Sequence, residues 1–132
     1  MSVFVDTSAL YALLDEKDIS HPAAQRIWSS LLPQQQLLIT TSYVQLETIT
    51  LIQRRLGVSA AREFHAIFFP VLSTVWIDGQ LHSLGMAHLL TSDRRYLSLV
   101  DCTSFLVCRQ SDVDYVFAFD RHFVEQGFRT LA

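Results

Sequence analysis

The chain has 132 residues, of which half are apolar and 17% are charged, and its formal net charge is −3 at pH 7. This length favours a single domain over residues 1–132, and the apolar content excludes a disordered chain. The charge balance lacks the basic excess of a stoichiometric DNA-binding protein. No signal-peptide pattern and no apolar run of about 18 residues occurs, so we expect a soluble, cytoplasmic protein with no membrane partner.

Short apolar runs alternate along the chain with segments of helical periodicity. In chain order the pattern predicts a strand over 3–5, helices over 7–14 and 20–33, a strand over 37–40, helices over 42–56 and 59–68, a strand over 71–77, helices over 78–90 and 98–110, a strand over 115–119, a short helical turn from Asp120 and a strand over 128–131. This alternation predicts an α/β fold with five parallel strands and helices on both faces of the sheet.

Four carboxylates lie where predicted strands or apolar runs meet helices. Asp6 and Asp120 directly follow strands, Asp101 lies near a helix start, and Glu47 lies within a helix. Because ligands collect at the carboxyl ends of parallel strands, we expect these acids to share one edge of the sheet. Oxygen ligands suit Mg²⁺ and Mn²⁺. The pattern therefore predicts a metal-dependent enzyme of phosphoryl chemistry.

Asp6 and Asp101 also have structural explanations. An aspartate between a strand and a helix is often only an N-cap, although Thr7 and Ser8 can cap this helix themselves. Asp101 stands three residues after Ser98, which is the spacing of a capping box. Capping and metal binding are compatible in Asp101, because each carboxylate oxygen can serve one of them.

Glu47 is too far inside its helix to be a cap. Tyr43 and Leu51 share its side of an apolar helix, and a charged acid in such a place needs a partner. Arg54, two turns further on, is the structural candidate. A metal ion is the functional candidate.

The segment after the fourth predicted strand combines three polar residues. Asp120 can be an N-cap or a ligand. Arg121 can bind a phosphate through its planar fork. His122 can carry a proton, but a histidine at a helix start is more often structural.

The two cysteines, Cys102 and Cys108, are six residues apart in an apolar helical run. Their spacing matches no zinc-binding pattern. We expect buried free thiols, as is usual in a reducing cytosol.

The ordered segments VFVDTSALYALLD, TSYVQLETITLIQRRLG and LSLVDCTSFLVCRQ…VDYVFAFDRHFVEQGF cover most of the chain. Together they resemble PIN-domain ribonucleases, particularly the VapC-like toxins of bacterial and archaeal toxin–antitoxin pairs. The resemblance implies a PIN-like three-layer sandwich, in which a five-stranded parallel sheet lies between helices and an acidic pocket lies at its carboxyl edge.

The resemblance also assigns residues and partners. Asp6, Glu47, Asp101 and Asp120 fall on the acidic, metal-binding positions of the family. Ser8 and Ser104 fall on its neighbouring hydroxyl positions. The family implies a Mg²⁺- or Mn²⁺-dependent endoribonuclease of a type II toxin–antitoxin system, with an RNA substrate, a cognate antitoxin and a homodimer.

Two alternatives belong to other functional classes. A phosphatase of the haloacid-dehalogenase kind has a nucleophilic aspartate after its first strand but normally a second aspartate two residues on, where this chain has Ser8. A non-cleaving module with the same fold would bind RNA or a partner protein, although the complete acidic set argues against it.

Two short segments are rich in large apolar residues, part of which we expect to remain exposed as a surface for a second copy or the antitoxin. These residues are Trp28, Leu31, Leu32, Phe64, Ile67, Phe68 and Phe69.

Overall fold

The computed structural model describes residues 1–132. Its strands are β1 (Ser2–Val5), β2 (Leu37–Thr41), β3 (Ser73–Val75) and β4 (Tyr115–Phe117). Its α-helices are α1 (Thr7–Leu14), α2 (His21–Leu31), α3 (Ser42–Leu56), α4 (Val58–Glu63), α5 (Gly79–Ser92), α6 (Leu99–Gln110) and α7 (His122–Glu125).

The four strands form one parallel sheet in the order β3-β2-β1-β4. The predicted parallel sheet flanked by helices is therefore confirmed. β1 is central, which explains why Val3, Phe4 and Val5 are all fully buried and form an uninterrupted apolar run. Since all strands point the same way, the residues that follow β1, β2 and β4 meet at one edge, which we call the carboxyl edge.

The predicted fifth strand, over 128–131, is wrong. In this segment only Thr130 forms a bridge with β4. Val116 donates a hydrogen bond to the Arg129 carbonyl (2.8 Å) and accepts one from Leu131 (3.0 Å). One bridged residue is too few for a ladder, so the segment covers the edge of β4 without extending the sheet.

The segment before β3 is more irregular than the single helix predicted over 59–68. α4 passes into a π-helical turn over Phe64–Phe68 and a 3₁₀ turn over Phe69–Val71. Pro70 lies in the 3₁₀ turn, and a proline has no N–H to continue a helical ladder. β3 consequently begins at Ser73 and is shorter than predicted.

Most of the large apolar residues in the two segments that we expected to be partly exposed belong to the core. Trp28, Leu31, Phe64 and Phe68 are buried, and the rings of Trp28 and Phe68 lie 5.4 Å apart. The irregular segment before β3 thus packs on α2. In the two segments only Ile67 and Leu32 are exposed by more than 40%.

The other side of the core lies around β1 and α6. Phe105 of α6 packs edge-on against Phe123, with 5.2 Å between ring centroids, and Phe123 contacts Phe4 of β1. Cys102 and Cys108 are buried and free, as predicted. None of the helices has both the length and the apolar character that crossing a membrane requires.

Candidate metal centre

Asp6 follows β1 at the carboxyl edge and is held by Ser8. Its side chain accepts hydrogen bonds from the Ser8 N–H (3.1 Å) and the Ser8 hydroxyl (2.8 Å). The same hydroxyl accepts a hydrogen bond from the Phe119 N–H (2.9 Å). Asp6, not Thr7 or Ser8, is therefore the N-cap of α1. Ser8 links it to the segment after β4.

Asp101 is held by a complete capping box at the start of α6. The Asp101 N–H donates to the Ser98 hydroxyl (3.0 Å), and the Ser98 N–H donates to the Asp101 carboxylate (3.1 Å). The predicted capping role is confirmed. Only one carboxylate oxygen takes part in it, so the other is free to face the carboxyl edge.

Glu47 lies in the second turn of α3 and is half-buried. Thr41, the last residue of β2, caps α3 by accepting a hydrogen bond from Val44 (3.0 Å). Glu47 forms no ion pair with Arg54, because no arginine or lysine nitrogen lies within 4.0 Å of its carboxylate. The structural explanation for this acid is therefore wrong.

Asp120 follows β4 and approaches Asp101. Its carboxylate accepts a hydrogen bond from the His122 N–H (2.8 Å) and lies 3.6 Å from His122 Nε2. A carboxylate oxygen of Asp101, a carboxylate oxygen of Asp120 and a ring nitrogen of His122 all lie within 4.8 Å of one another. Asp6 and Glu47 are outside this closest group. We call Asp6, Glu47, Asp101 and Asp120 the acidic cluster.

Burial and mutual repulsion raise the pKa of three members of the acidic cluster. Burial raises the pKa of Asp6 to about 7, helped by the charges of Asp101 and Glu47, although the hydrogen bonds from Ser8 oppose the change. Burial and neighbouring acids also raise the pKa of Glu47 and of Asp101. The charge of Asp120 is among the causes for both Glu47 and Asp101, so the four acids are electrostatically linked.

The chain supplies no adequate counter-charge for the acidic cluster. No lysine or arginine forms an ion pair with a member of the cluster, and His122 is the sole basic partner. Two buried polar atoms, the Ser104 hydroxyl on α6 and His122 Nδ1, have no hydrogen-bond partner. Buried charges are normally paired or bound to metal. The residues present therefore fit a hard divalent cation held by carboxylate oxygens.

The comparison with protein families decides which fold this is. The PIN domain family matches residues 3–129. The chain belongs to the PIN domain family. Among its relatives is the protein named 23S rRNA-specific endonuclease VapC20 in two strains of Mycobacterium tuberculosis, with 36% identity over 127 residues, covering 96% of this chain and 95% of the relative.

Solved structures agree with this assignment. The crystal structure of Mycobacterium tuberculosis VapC20, described as a Sarcin-Ricin loop cleaving toxin, has a TM-score of 0.85 and 35% identity, covering 96% of this chain and 95% of that one. VapBC2 from Rickettsia felis, bound to a promoter DNA fragment, has a TM-score of 0.69 at 8% identity, covering 98% of this chain and 97% of that one. This second likeness shows the fold alone.

Two cavities adjoin the acidic cluster in this PIN domain. A small one of about 150 Å³ is lined by Asp120 and the exposed Arg121. A larger groove of about 630 Å³ shares Glu47 with the cluster. The remaining walls of this groove, which we call the Glu47 groove, are Tyr43, Leu46, Thr50, Leu51, Arg54, His82, Leu99 and Val100.

Sequence reasoning gave little weight to two features near the acidic cluster. It favoured a structural role for His122, whose ring lies near Asp101 and Asp120. The hint of this proximity in the sequence is the position of His122 two residues after Asp120. It also overlooked Thr7 and Thr48, whose hydroxyls lie 3.1 Å apart between α1 and α3. The Thr7 hydroxyl opposes the rise in the pKa of Glu47.

Proposed function

We propose that this PIN domain is a metal-dependent endoribonuclease that hydrolyses RNA phosphodiester bonds and acts as the toxin of a type II toxin–antitoxin pair. The observation that carries the proposal is the acidic cluster, which has no counter-charge from lysine or arginine. The curated relative, 36% identical across nearly the whole chain, is named as an rRNA endonuclease, and this supports RNA as the substrate.

In this proposal Asp6, Glu47, Asp101 and Asp120 hold one or two Mg²⁺ or Mn²⁺ ions. The ion supplies electrostatic activation of the phosphodiester and of the attacking water. Asp101 and Asp120 are the closest pair of donors. Glu47 lies close enough to Asp6 for its charge to raise the pKa of Asp6.

Ser8 and Asp6 have distinct tasks. The Ser8 hydroxyl, fixed by the Phe119 N–H, orients the Asp6 carboxylate. Because the pKa of Asp6 is about 7, this carboxyl holds a proton in a large fraction of molecules at neutral pH. Metal binding requires the carboxylate form and so releases that proton.

Ser104 and Arg121 complete the proposed site. The Ser104 hydroxyl is buried without a partner one turn after Asp101, where it can support a ligand or an ordered water. Arg121 is exposed beside Asp120, where its guanidinium can bind a phosphate of the substrate next to the one that is cut.

The proposed partner is a cognate antitoxin, and a homodimer is proposed for the chain itself. The Glu47 groove supports a partner surface, because Leu46 on its wall is 66% exposed and exposed apolar patches on small domains mark contact sites. The toxin description of VapC20 also supports an antitoxin.

The test is cleavage of 23S rRNA, in intact ribosomes and as a short hairpin that carries the sarcin–ricin loop. The wild type should cut in Mg²⁺ or Mn²⁺ and stop on addition of chelator. Asp6→Asn and Asp101→Asn should each reduce the cleavage rate by at least about 100-fold, since a lost ligand removes electrostatic stabilisation of several kcal/mol. Primer extension would locate the cut.

Circular dichroism and melting curves should show both variants folded. Asparagine is as good an N-cap as aspartate at position 6, and in Asp101→Asn the side-chain amide oxygen can still accept the hydrogen bond from the Ser98 N–H. Wild-type cleavage rates in both variants would contradict the assignment of the site. Metal-independent binding of the hairpin without cleavage would favour the non-cleaving module. Release of phosphate from a phosphomonoester, with RNA left intact, would favour the phosphatase.

A further inference from the structure

We propose that His122 is a nitrogen ligand of the metal and that it makes this centre select Mn²⁺ over Mg²⁺. The inference rests on the proposed function, because it concerns the ion that the acidic cluster holds. It adds a fifth residue to the four carboxylates and names the metal on which the chain depends.

The position of the imidazole ring carries the first step. One ring nitrogen lies within 4.8 Å of carboxylate oxygens of both Asp101 and Asp120. The separation of 3.6 Å between His122 Nε2 and an Asp120 carboxylate oxygen suits two ligands of one ion, because metal–ligand distances near 2.1 Å put such ligands about 3–4 Å apart. The His122 side chain is also mostly buried, with 18% exposed.

The second step is that no other contact uses the ring. Nδ1 is buried without a hydrogen-bond partner. Nε2 is 3.6 Å from Asp120 and Nδ1 is 4.0 Å from Glu125, and both distances exceed those of hydrogen bonds. A histidine placed for a purely structural reason would satisfy at least one nitrogen.

Glu125 lies near the second ring nitrogen, beyond hydrogen-bond distance. Its carboxylate is held by Arg94 at 2.6 Å and faces His122 Nδ1. Metal-bound histidines commonly donate their second ring N–H to a carboxylate, which fixes the tautomer and makes the ligand nitrogen more basic. Nε2, which lies 3.6 Å from Asp120, is therefore the nitrogen available to the ion, and Nδ1 is the nitrogen on the side of Glu125.

The ligand type then decides the selectivity. Mg²⁺ requires a near-ideal octahedron of oxygen ligands and loses water reluctantly. Mn²⁺ accepts carboxylates too, and although it is the weakest binder of the divalent transition-metal series, it is softer than Mg²⁺ and gains more from a nitrogen ligand. Three or four carboxylates alone would bind both ions, so the discrimination arises from His122.

The direct test is pulsed electron paramagnetic resonance of Mn²⁺ bound to the full chain. A coordinated imidazole gives ¹⁴N modulation of the Mn²⁺ signal, which should change to the ¹⁵N pattern after labelling with ¹⁵N-histidine and disappear in His122→Ala. The matched control is His65→Ala, which removes an exposed histidine outside the cluster and should leave the modulation intact.

Isothermal titration calorimetry gives the thermodynamic counterpart. His122→Ala should weaken Mn²⁺ binding about tenfold, the usual order for a lost contact at a metal centre, and change Mg²⁺ binding less than twofold. His122→Asp, which restores an oxygen donor, should lower the ratio of Mn²⁺ to Mg²⁺ affinity below that of the wild type.

The outcomes separate this inference from the proposed function. Mn²⁺ that binds the wild type without ¹⁴N modulation would overturn the role of His122 and leave the carboxylate site standing. Failure of the wild type to bind either ion would overturn the metal-dependent function itself. The labelling experiment uses the wild type, so it decides the question even if His122→Ala folds poorly.

Discussion

At the residue scale, Asp6 combines a structural and a proposed catalytic role. It caps α1 through Ser8 and is only 4% exposed. Capping favours the ionised carboxylate, whereas burial and the neighbouring acids oppose it, and the burial effect is the larger. In the metal-free protein the Asp6 carboxylate is therefore destabilising near neutral pH, although aspartate is a good cap.

This balance predicts how the stability of the metal-free protein depends on pH. The pKa of Asp6 is raised from 3.8 to about 7 in the folded state. Between pH 4 and 7 the unfolded chain has lost this proton and the folded chain still holds it, so the free energy of unfolding falls as pH rises. A difference of about 3 between the pKa values corresponds to about 4 kcal/mol.

Asp6→Asn should therefore raise the free energy of unfolding at pH 8 by up to about 4 kcal/mol and flatten its fall between pH 4 and 7. Urea titrations with chelator at several pH values would measure this. Asp93→Asn, which changes an exposed carboxyl outside the cluster, is the control and should keep the wild-type slope. A lower stability of Asp6→Asn at pH 8 would refute the electrostatic argument.

At the element scale, α5 and α6 approach closely at Gly85. A Cβ at this position would lie 2.6 Å from Thr103 Cγ2 and 3.2 Å from Leu99 Cδ1. Thr103 is fully buried, and its hydroxyl contacts the Leu99 and Val100 carbonyls at 3.0 Å. The methyl group therefore has little room to move. Since α6 carries Asp101, this packing also positions the metal centre.

Gly85→Ala should lower the free energy of unfolding by about 1–3 kcal/mol, the usual cost of overpacking, despite the better helix propensity of alanine. Gly79→Ala in the same helix meets no atom within 4 Å and should be neutral or slightly stabilising. Thermal and urea melts would compare the two variants.

A second substitution tests the mechanism of this effect. Thr103→Ser removes Cγ2 and keeps the hydroxyl, so it should restore much of the stability lost in Gly85→Ala. The double-mutant cycle should show a coupling of about 1 kcal/mol or more, as contacting residues do. Additive effects of the two changes would mean that the clash lies elsewhere.

At the scale of the whole molecule, the parallel sheet brings together acids that are far apart in the chain. Asp6 follows β1 and Asp120 follows β4, and these strands are hydrogen-bonded neighbours. Ser8 bonds to Phe119 across a separation of 111 residues. The acidic cluster therefore depends on the complete fold, because no local segment contains more than one of its members.

The proposed toxin role predicts a growth effect that depends on the cluster. Expression of the wild type in a bacterial host should arrest growth, whereas Asp6→Asn at equal soluble level should not. Co-expression of the neighbouring gene product, as the candidate antitoxin, should relieve the arrest. Growth curves with quantified soluble protein provide the measurement. Equal growth of the two strains would leave the fold assignment intact and rule out toxicity through this site.

The features of this protein that follow from local pattern and from the rules of parallel sheets could be predicted from the amino-acid sequence. Asp6 comes directly after β1 and Asp120 three residues after β4, and parallel strands end at one edge. The capping box of Asp101 needs only the spacing of Ser98 and Asp101. The ordered motifs were enough to recognise the PIN domain family, which the comparison confirmed.

Features that depend on distances between elements became visible only in the folded chain. Helical spacing alone could not show that Glu47 and Arg54 form no ion pair. The approach of His122 to Asp101 could not be predicted either, because it depends on where α6 and β4 meet. The single bridge at Thr130 replaced a predicted fifth strand. A strand is defined by its pairing with a neighbour, which a β-rich pattern favours but does not specify.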